Sequence, residues 1–167
     1  MKRILTQTCA IITILFFATA CDNGEKNNDL NGKNKVTLIV NEQAFTAVEN
    51  NRTSGKGNTV SNPFEIKGVE RTGDILKVEV SYSGGCEQHT FDVLWGGQIL
   101  LTEPCQINLI LTHDANGDAC EAYLSKTLEI DLLNLVGDND SKDSCVYNVF
   151  SALNESDTPD GVVTLDL

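Results

Sequence analysis

The sequence predicts an all-β fold, an antiparallel β-sandwich, Ig-like or similar, of about seven to nine short strands. Apolar and polar residues alternate from Val36 to the C-terminus, which is the pattern of strands with one buried face. Clusters of turn-forming residues interrupt the alternation about every ten residues, as in all-β domains. No stretch has a convincing helical period, although residues 122–135 fit a helix as well as a strand. The alternation indicates one domain, residues 36–167.

The first part of this domain has a hairpin-like pattern. Two alternating runs, 36–40 and 44–48, flank a possible turn at 41–43. The polar stretch 50–63 then predicts a surface loop, and the apolar residues that follow Pro63 predict a short strand. The clearest alternation in the chain predicts the next strand, which has an apolar face made of Leu76, Val78, Val80 and Tyr82.

Two of the later strands each have a histidine at one end of an apolar face. The first face is His89, Phe91, Val93 and Trp95, and the second is Ile107, Leu109, Leu111 and His113. Gly pairs at 84–85 and 96–97 are typical of the turns between such strands. The remaining alternating runs predict strands at residues 124–132, 145–149 and 163–167.

The first twenty residues have the pattern of a signal peptide. Lys2 and Arg3 are followed by an apolar run at residues 10–17 that is too short to span a bilayer. The small residues 18–20 then precede Cys21, and this ending resembles the lipobox of bacterial lipoproteins. The resemblance implies cleavage after residue 20, a diacylglyceryl group on the Cys21 sulfur, and an acyl chain such as palmitate on the new amino terminus. Ala18 stands where Leu is commoner, so ordinary signal cleavage is the alternative.

Lipidation at Cys21 predicts an anchored protein rather than a membrane-spanning one. Residues 22–35 are rich in Asn, Gly, Asp and Lys, so residues 21–35 are expected to form the lipidated cysteine and a flexible tether. Asp22 resembles an inner-membrane retention signal in some bacteria and a surface-export signal in others. We expect an outer-membrane location, with the periplasmic and cell-surface faces both open.

Composition limits the classes of partner. The chain has 167 residues, 41% hydrophobic and 22% charged, as globular domains do. Its formal net charge is -12. Because nucleic acids and anionic lipids attract basic patches, no nucleic-acid partner is expected.

The cysteines predict two disulfides. Of the six in the chain, Cys9 leaves with the signal peptide and Cys21 takes the lipid, so four remain in the exported domain. Four cysteines allow three connectivities. We favour Cys86–Cys120 with Cys105–Cys145, because the first pair adjoins Gly-rich turns and the second is in phase with apolar strand faces.

The same region offers an alternative, a zinc site. Cys86 and Cys120 together with His89 and His113 would supply two thiolates and two imidazoles, a tetrahedral zinc set. Cysteines this close are expected to oxidise in an exported protein, so the disulfide is favoured. The histidines are then expected to be hydrogen-bonded strand-end side chains. They form the best candidate site if the folding of their strands brings them together.

A second metal alternative is a calcium loop. Asp114, Asn116 and Asp118 occupy alternate positions, as in an EF-hand loop. However, Ala119 stands where that loop needs Gly and Ser125 where it needs Glu, so an Asn-Gly turn explains the segment better. We therefore predict no metal or cofactor, and keep these three residues with the two histidines as possible ligand-binding positions.

No catalytic constellation stands out. A hydrolase using Cys86 as nucleophile and His113 as base would need a free thiol and an oxyanion hole, and no family signature supports it. The motifs of serine hydrolases, zinc proteases and phosphate-binding loops do not occur. The chain is therefore not expected to be an enzyme.

A family resemblance is carried by two clusters in the middle of the chain. They are Gly84, Gly85, Cys86, His89 and Phe91, and then His113, Asp118 and Cys120. This pattern, GGCxxHxF followed by HxxxxDxC, resembles uncharacterised lipoproteins of Bacteroidota. The resemblance implies an exported β-rich lipoprotein and no catalytic residue. We expect a non-catalytic binding or structural module with an envelope protein or glycan as partner.

Overall fold

The computed structural model describes residues 36–164, and this part of the chain is mostly β, with 44% strand and 19% helix. The β-rich prediction is confirmed. The eight strands are β1 (Thr37–Val40), β2 (Glu65–Thr72), β3 (Ile75–Gly84), β4 (Thr90–Trp95), β5 (Gln106–Asp114), β6 (Ala122–Asp131), β7 (Val146–Ser151) and β8 (Gly161–Val163). None of the helices in the described residues is long and apolar enough to cross a bilayer. The predicted signal peptide, Cys21 and the tether lie outside the described residues.

The strands form two sheets, one of five strands in the order β1-β4-β5-β7-β8 and one of three in the order β2-β3-β6. The prediction of purely antiparallel pairing is wrong, because β1 pairs with β4 and β5 pairs with β7 in parallel. Parallel neighbours need a long crossover connection. The chain provides one each time, since β2 and β3 lie between the first pair and β6 between the second.

The N-terminal hairpin prediction is also wrong, because β1 is followed by a helix, α1 (Glu42–Thr53). Asn41 caps this helix by accepting a hydrogen bond from the Ala44 amide at 2.8 Å. Phe45 and Val48, three residues apart, pack together on a small core under the helix. The run 44–48 alternates over too few residues to separate the two periods.

A helix also replaces part of the expected loop at 50–63, since α1 reaches Thr53 and a 3-10 turn covers Gly57–Thr59. The ambiguous segment 122–135 contains both structures, strand β6 and then helix α2 (Leu132–Val136). The acidic stretch after it forms helix α3 (Asp140–Ser144). Lys142 of α3 is only 4% exposed, because its ammonium binds the carboxylates of Asp74 and Asp143.

One hydrophobic core contains side chains from both sheets. Its fully buried members from the three-stranded sheet are Leu76, Val78, Val80, Leu128 and Ile130. Those from the five-stranded sheet are Val93, Ile107, Leu109, Leu111, Tyr147 and Val149. The strand faces predicted from alternation are therefore the faces that are buried, and the two histidine-bearing strands bring their ends to the margin of this core.

Candidate functional site

The two histidines of the chain meet at one end of the five-stranded sheet. His113 lies near the end of β5, directly opposite Phe91 of β4, and His89 lies one residue before β4 begins. Since side chains alternate along a strand, His89 and His113 point to the core side with Phe91. They are 7% and 3% exposed, and His89 Nδ1 lies 2.8 Å from His113 Nε2. The sequence identified both residues, and the structure brings them together.

Asp118 holds the outer end of this pair. Its Oδ2 lies 3.0 Å from His89 Nε2 and accepts hydrogen bonds from three successive backbone amides, those of Gly85 (2.8 Å), Cys86 (2.9 Å) and Glu87 (3.0 Å). Its Oδ1 accepts from the Cys120 amide at 2.8 Å. These amides and the histidine hold the pKa of the Asp118 carboxyl well below its usual range. The carboxylate therefore fastens the loop before β4 to the loop after β5.

Backbone groups hold the inner end. His113 Nδ1 lies 3.2 Å from the carbonyl oxygen of Pro63, and the His113 amide donates to Ser61 Oγ at 3.1 Å. The Asn62 amide in turn donates to the His113 carbonyl at 2.8 Å. Burial, and secondly the neighbouring His89, lower the pKa of His113, which favours its neutral form. A third segment, residues 61–63, is thus attached to the histidine pair.

Aromatic rings enclose the pair. Phe91 stacks on His113 with ring centroids 4.5 Å apart, and Phe64 approaches the same ring edge-on at 5.8 Å. Tyr82 of β3 lies 4.8 Å from His89 and 5.1 Å from His113, and burial raises the pKa of Tyr82. The imidazoles therefore lie in a largely apolar surrounding, where unpaired polar atoms are costly.

Two disulfides are present, as predicted. Cys86 is joined to Cys120, and Cys105 is joined to Cys145. The first bond ties together the two loops that Asp118 also holds. Within residues 36–164, one group of ligand atoms is compact enough for a metal ion, that of Cys86, Asp118 and Cys120, with all three atoms within 4.8 Å of one another. Since its sulfurs are bonded to each other, neither is a free thiolate for zinc or for nucleophilic attack.

The segment considered as a calcium loop forms a turn. Asp114 Oδ1 accepts from the Asn116 amide at 2.8 Å, and Asn116 and Gly117 both have positive φ, 51° and 72°. Asn and Gly tolerate this left-handed conformation best. Asp118 instead directs both oxygens at the backbone amides described above.

The cluster of His89, His113 and Asp118 is therefore engaged on all sides by protein atoms. All four ring nitrogens face a partner: the Pro63 carbonyl, the other imidazole or the Asp118 carboxylate. A general base needs a lone pair that a substrate can reach. In this state the network holds the Asp118 carboxylate in place and joins three chain segments. Sequence patterns identified the histidines and Asp118 but not that Asp118 is the acceptor for His89, because that contact spans 29 residues.

A groove that the sequence did not indicate adjoins the cluster. It has a volume of about 370 Å³ and lies between the 3-10 turn and the outer side of β4 and β5. Its lining is mostly hydroxyl, amide and carboxylate side chains and includes Ser61, Asn62, Thr90, Asp92, Thr112 and Asp114.

Comparison with known proteins shows likeness of fold. No family model matches the chain, and no curated protein matches it. A solved protein of unknown function, DUF1344, from Bacteroides vulgatus is 15% identical, with a TM-score of 0.51 over 80% of this chain and 57% of that one. A NigD-like immunity protein from Bacteroides caccae is 16% identical, with a TM-score of 0.44 over 70% and 51%. A toxin-related protein from Parabacteroides distasonis is 17% identical, with a TM-score of 0.43 over 70% and 55%.

The chain thus spans little more than half the length of these solved proteins. At such identities, the match to the Bacteroides vulgatus protein shows that the two folds are alike.

Proposed function

We propose that the protein is an exported lipoprotein, anchored in the outer membrane through Cys21, that acts as a non-catalytic binding module. The observation that carries the non-catalytic part is that every ring nitrogen of the histidine pair is already bound within the protein. Both cysteine pairs in the described domain are oxidised, which supports export to an oxidising compartment. A partner would therefore bind to the exposed surface of the domain rather than to the buried histidine pair.

For the scaffold we propose a sandwich in the broad sense. The shared core, with buried side chains from both sheets, supports two layers packed face to face. The parallel pairs of β1 with β4 and β5 with β7 set it apart from an Ig-like domain, whose two sheets are antiparallel.

We assign the binding surface to the loop between β4 and β5. Leu101, in this loop, is 94% exposed, and its neighbour Leu100 is 43% exposed. The loop is nevertheless held firmly: Leu100 and Gln106 exchange two backbone hydrogen bonds, and the Cys105–Cys145 disulfide fixes its end. A pre-ordered loop loses little conformational entropy on binding, and its adjacent exposed leucines offer apolar area that a protein partner would bury.

A protein partner is favoured over a glycan by the position of the aromatic side chains. Trp95 is buried and Tyr82 packs on the histidines, so neither is free to stack on a sugar ring. Tyr123 is exposed, but it lies in β6 of the other sheet and does not line the polar groove. The polar groove beside His113 would be the glycan-binding surface if the partner were a saccharide. A protein partner would therefore bind the loop between β4 and β5, and a saccharide would bind the groove. Experiments on the two surfaces can distinguish these possibilities.

The anchor is tested by labelling cells with an alkyne analogue of palmitate. Wild-type protein and Cys9→Ser, whose change lies within the predicted signal peptide, should both carry the label and sediment with outer membranes. Cys21→Ser should lose the label and the membrane association. Labelled, membrane-bound Cys21→Ser protein would refute the proposal.

The binding surface is tested with a photo-crosslinking amino acid placed at Leu101 or, as the control, at Tyr123 of the other sheet, which is 67% exposed. We expect a discrete protein adduct from position 101 and none from position 123. Leu101→Asp should then weaken binding to the captured partner roughly tenfold or more, the value of burying one leucine. Absence of an adduct at 101, together with glycan binding that Asp92→Asn abolishes, would replace the protein partner with a saccharide.

A further inference from the structure

We propose that the His89–His113–Asp118 network holds one proton more than two neutral histidines can supply, and that His89 carries it as a buried imidazolium. Losing this proton weakens the hydrogen bonds between the two loops that the Cys86–Cys120 disulfide joins. The network is then a proton-sensitive fastener. This role of the network goes beyond the binding role proposed above and does not depend on which partner the protein has.

The proton count follows from the two ends of the network. At the inner end the Pro63 carbonyl can only accept, so His113 Nδ1, 3.2 Å away, carries a hydrogen. At the outer end Asp118 Oδ2 accepts from three backbone amides, which requires an ionised carboxylate, so His89 Nε2 carries a hydrogen as well. These two hydrogens are all that a pair of neutral imidazoles has.

The contact in the middle needs a third hydrogen. His89 Nδ1 and His113 Nε2 are 2.8 Å apart, a hydrogen-bond distance, and without a hydrogen two lone pairs would face each other. Both rings are more than nine-tenths buried, so no solvent relieves such a contact. Three hydrogen bonds thus require three protons on four nitrogens.

The third proton belongs on His89. That ring touches the Asp118 carboxylate, whereas His113 faces a neutral carbonyl and has a pKa lowered by burial. The other titratable groups around the rings are Tyr82 of β3, which is neutral, and Asp114, next to His113 in sequence. The carboxylate in direct contact, Asp118, therefore decides the position of the charge.

Loss of the third proton would loosen a defined part of the fold. A neutral His89 can donate to Asp118 or to His113, but not to both. With two hydrogens left, one of the three buried contacts brings two acceptor atoms together whichever tautomers the rings adopt. This repulsion destabilises the closed network, and where His89 and Asp118 part, the amides of Gly85, Cys86, Glu87 and Cys120 lose an acceptor that is fixed in place. Closed loops then bind one proton more than open loops between about pH 6.5, above which an exposed histidine is neutral, and the higher pH at which the closed network itself loses the proton. Opening should become about tenfold more favourable for each further pH unit.

The proton count can be measured directly because both histidines of the chain belong to this network. Histidine-selective 15N labelling of the full chain carrying Cys21→Ser, purified with its disulfides intact, gives signals from these rings alone. At pH 7.5 we expect one ring with hydrogens on both nitrogens and one neutral ring with its hydrogen on Nδ1. Two neutral rings at this pH would overturn the proposal.

Release of the loops is tested by amide hydrogen exchange, corrected for intrinsic base catalysis, between pH 7 and pH 10. Protection of the four amides bound to Asp118 should fall about tenfold per pH unit up to one transition, the pH at which the closed network loses the proton, and should level off above it. Protection in β7 should not change, which distinguishes local release from global unfolding. The transition should move to lower pH in Asp118→Asn, and not in Asp114→Asn, which removes a nearby charge that contacts neither ring. Protection that is independent of pH, or an equal effect of both variants, would contradict the mechanism.

Discussion

Replacing Gly84 by alanine tests the geometry on which the site depends. A Cβ built at Gly84 would lie 2.5 Å from His89 Cε1 and Nε2 and 3.0 Å from Asp118 Oδ2. Ordinary contact distances are about 3.5–4.0 Å, so the imidazole would have to move by about 1 Å. It has little room to do so, because Tyr82 and His113 pack on its faces. Overpacking of this kind costs about 1–3 kcal/mol.

Gly68→Ala is the matched control. Gly68 lies in β2 of the same three-stranded sheet, and a Cβ there meets no atom within 4 Å. Alanine is favoured over glycine in a strand by about 0.5–1 kcal/mol, so this variant should be neutral or slightly stabilised. Because both glycines lie in strands, this gain is common to the two variants, and their free energies of unfolding should differ by the overpacking cost, about 1–3 kcal/mol.

Urea unfolding of the oxidised protein, followed by tryptophan fluorescence, measures this difference. Trp95 is the one tryptophan of the chain and is 7% exposed in the core, so its emission reports global unfolding. Gly84→Ala should have a lower midpoint with an unchanged slope. Equal stability of Gly84→Ala and Gly68→Ala would show that the His89 ring does not occupy the space above Gly84. The contact between His89 and Asp118 would then be wrong.

Three further predictions concern stability. Arg52 is 1% exposed and donates to two backbone carbonyls and to Glu49, whose side chain is 34% exposed. Arg52→Met should therefore cost about 1.5–3 kcal/mol of unfolding free energy, the range for hydrogen bonds to a charged group, and Arg52→Lys less. Equal loss in both variants would argue against the fork geometry. The pKa of His113 is lowered in the fold, so His113 becomes protonated in the unfolded chain at a higher pH than in the folded one. The free energy of unfolding should therefore fall as the pH drops from about 6.5 to 5, by at most about 1.4 kcal/mol per pH unit. His113→Phe should flatten this slope, and an unchanged slope would assign it to other groups. Replacing Cys105 and Cys145 by alanine opens a loop of about 41 residues and should lower the free energy of unfolding by about 4 kcal/mol. Urea unfolding of this variant and of the wild type measures the loss. A loss below about 1 kcal/mol would show that the unfolded chain is already constrained without the disulfide.

Strand faces and disulfides were predictable because both depend on local or countable properties. A strand buried on one face must alternate, so the positions of β3, β4 and β5 follow from runs such as Leu76 to Tyr82. Four cysteines in an exported domain leave few pairings, and turn positions favoured the correct one. The histidines could be named as candidates because each ends an apolar face.

Helix α1 and the parallel pairs were not predictable from these patterns. Five residues of alternation fit both periods, and the helix is decided by the Asn41 cap and by the outer face of the five-stranded sheet, on which Phe45 and Val48 pack. Which strands become neighbours depends on the whole set of long-range contacts, and nothing in the sequence of β5 indicates that β7 will lie parallel to it.

The sequence by itself determined which side chains face inward, because burial follows the two-residue period of a strand. Only the tertiary structure decided what those side chains meet. Arg52 is buried because carbonyls at Asn154 and Ser156 receive it, about a hundred positions later in the chain. Asp118 is the partner of His89 because the fold places its carboxylate against three backbone amides and one imidazole. A buried charge is tolerated only where a partner has been positioned, and that positioning is a property of the folded chain as a whole.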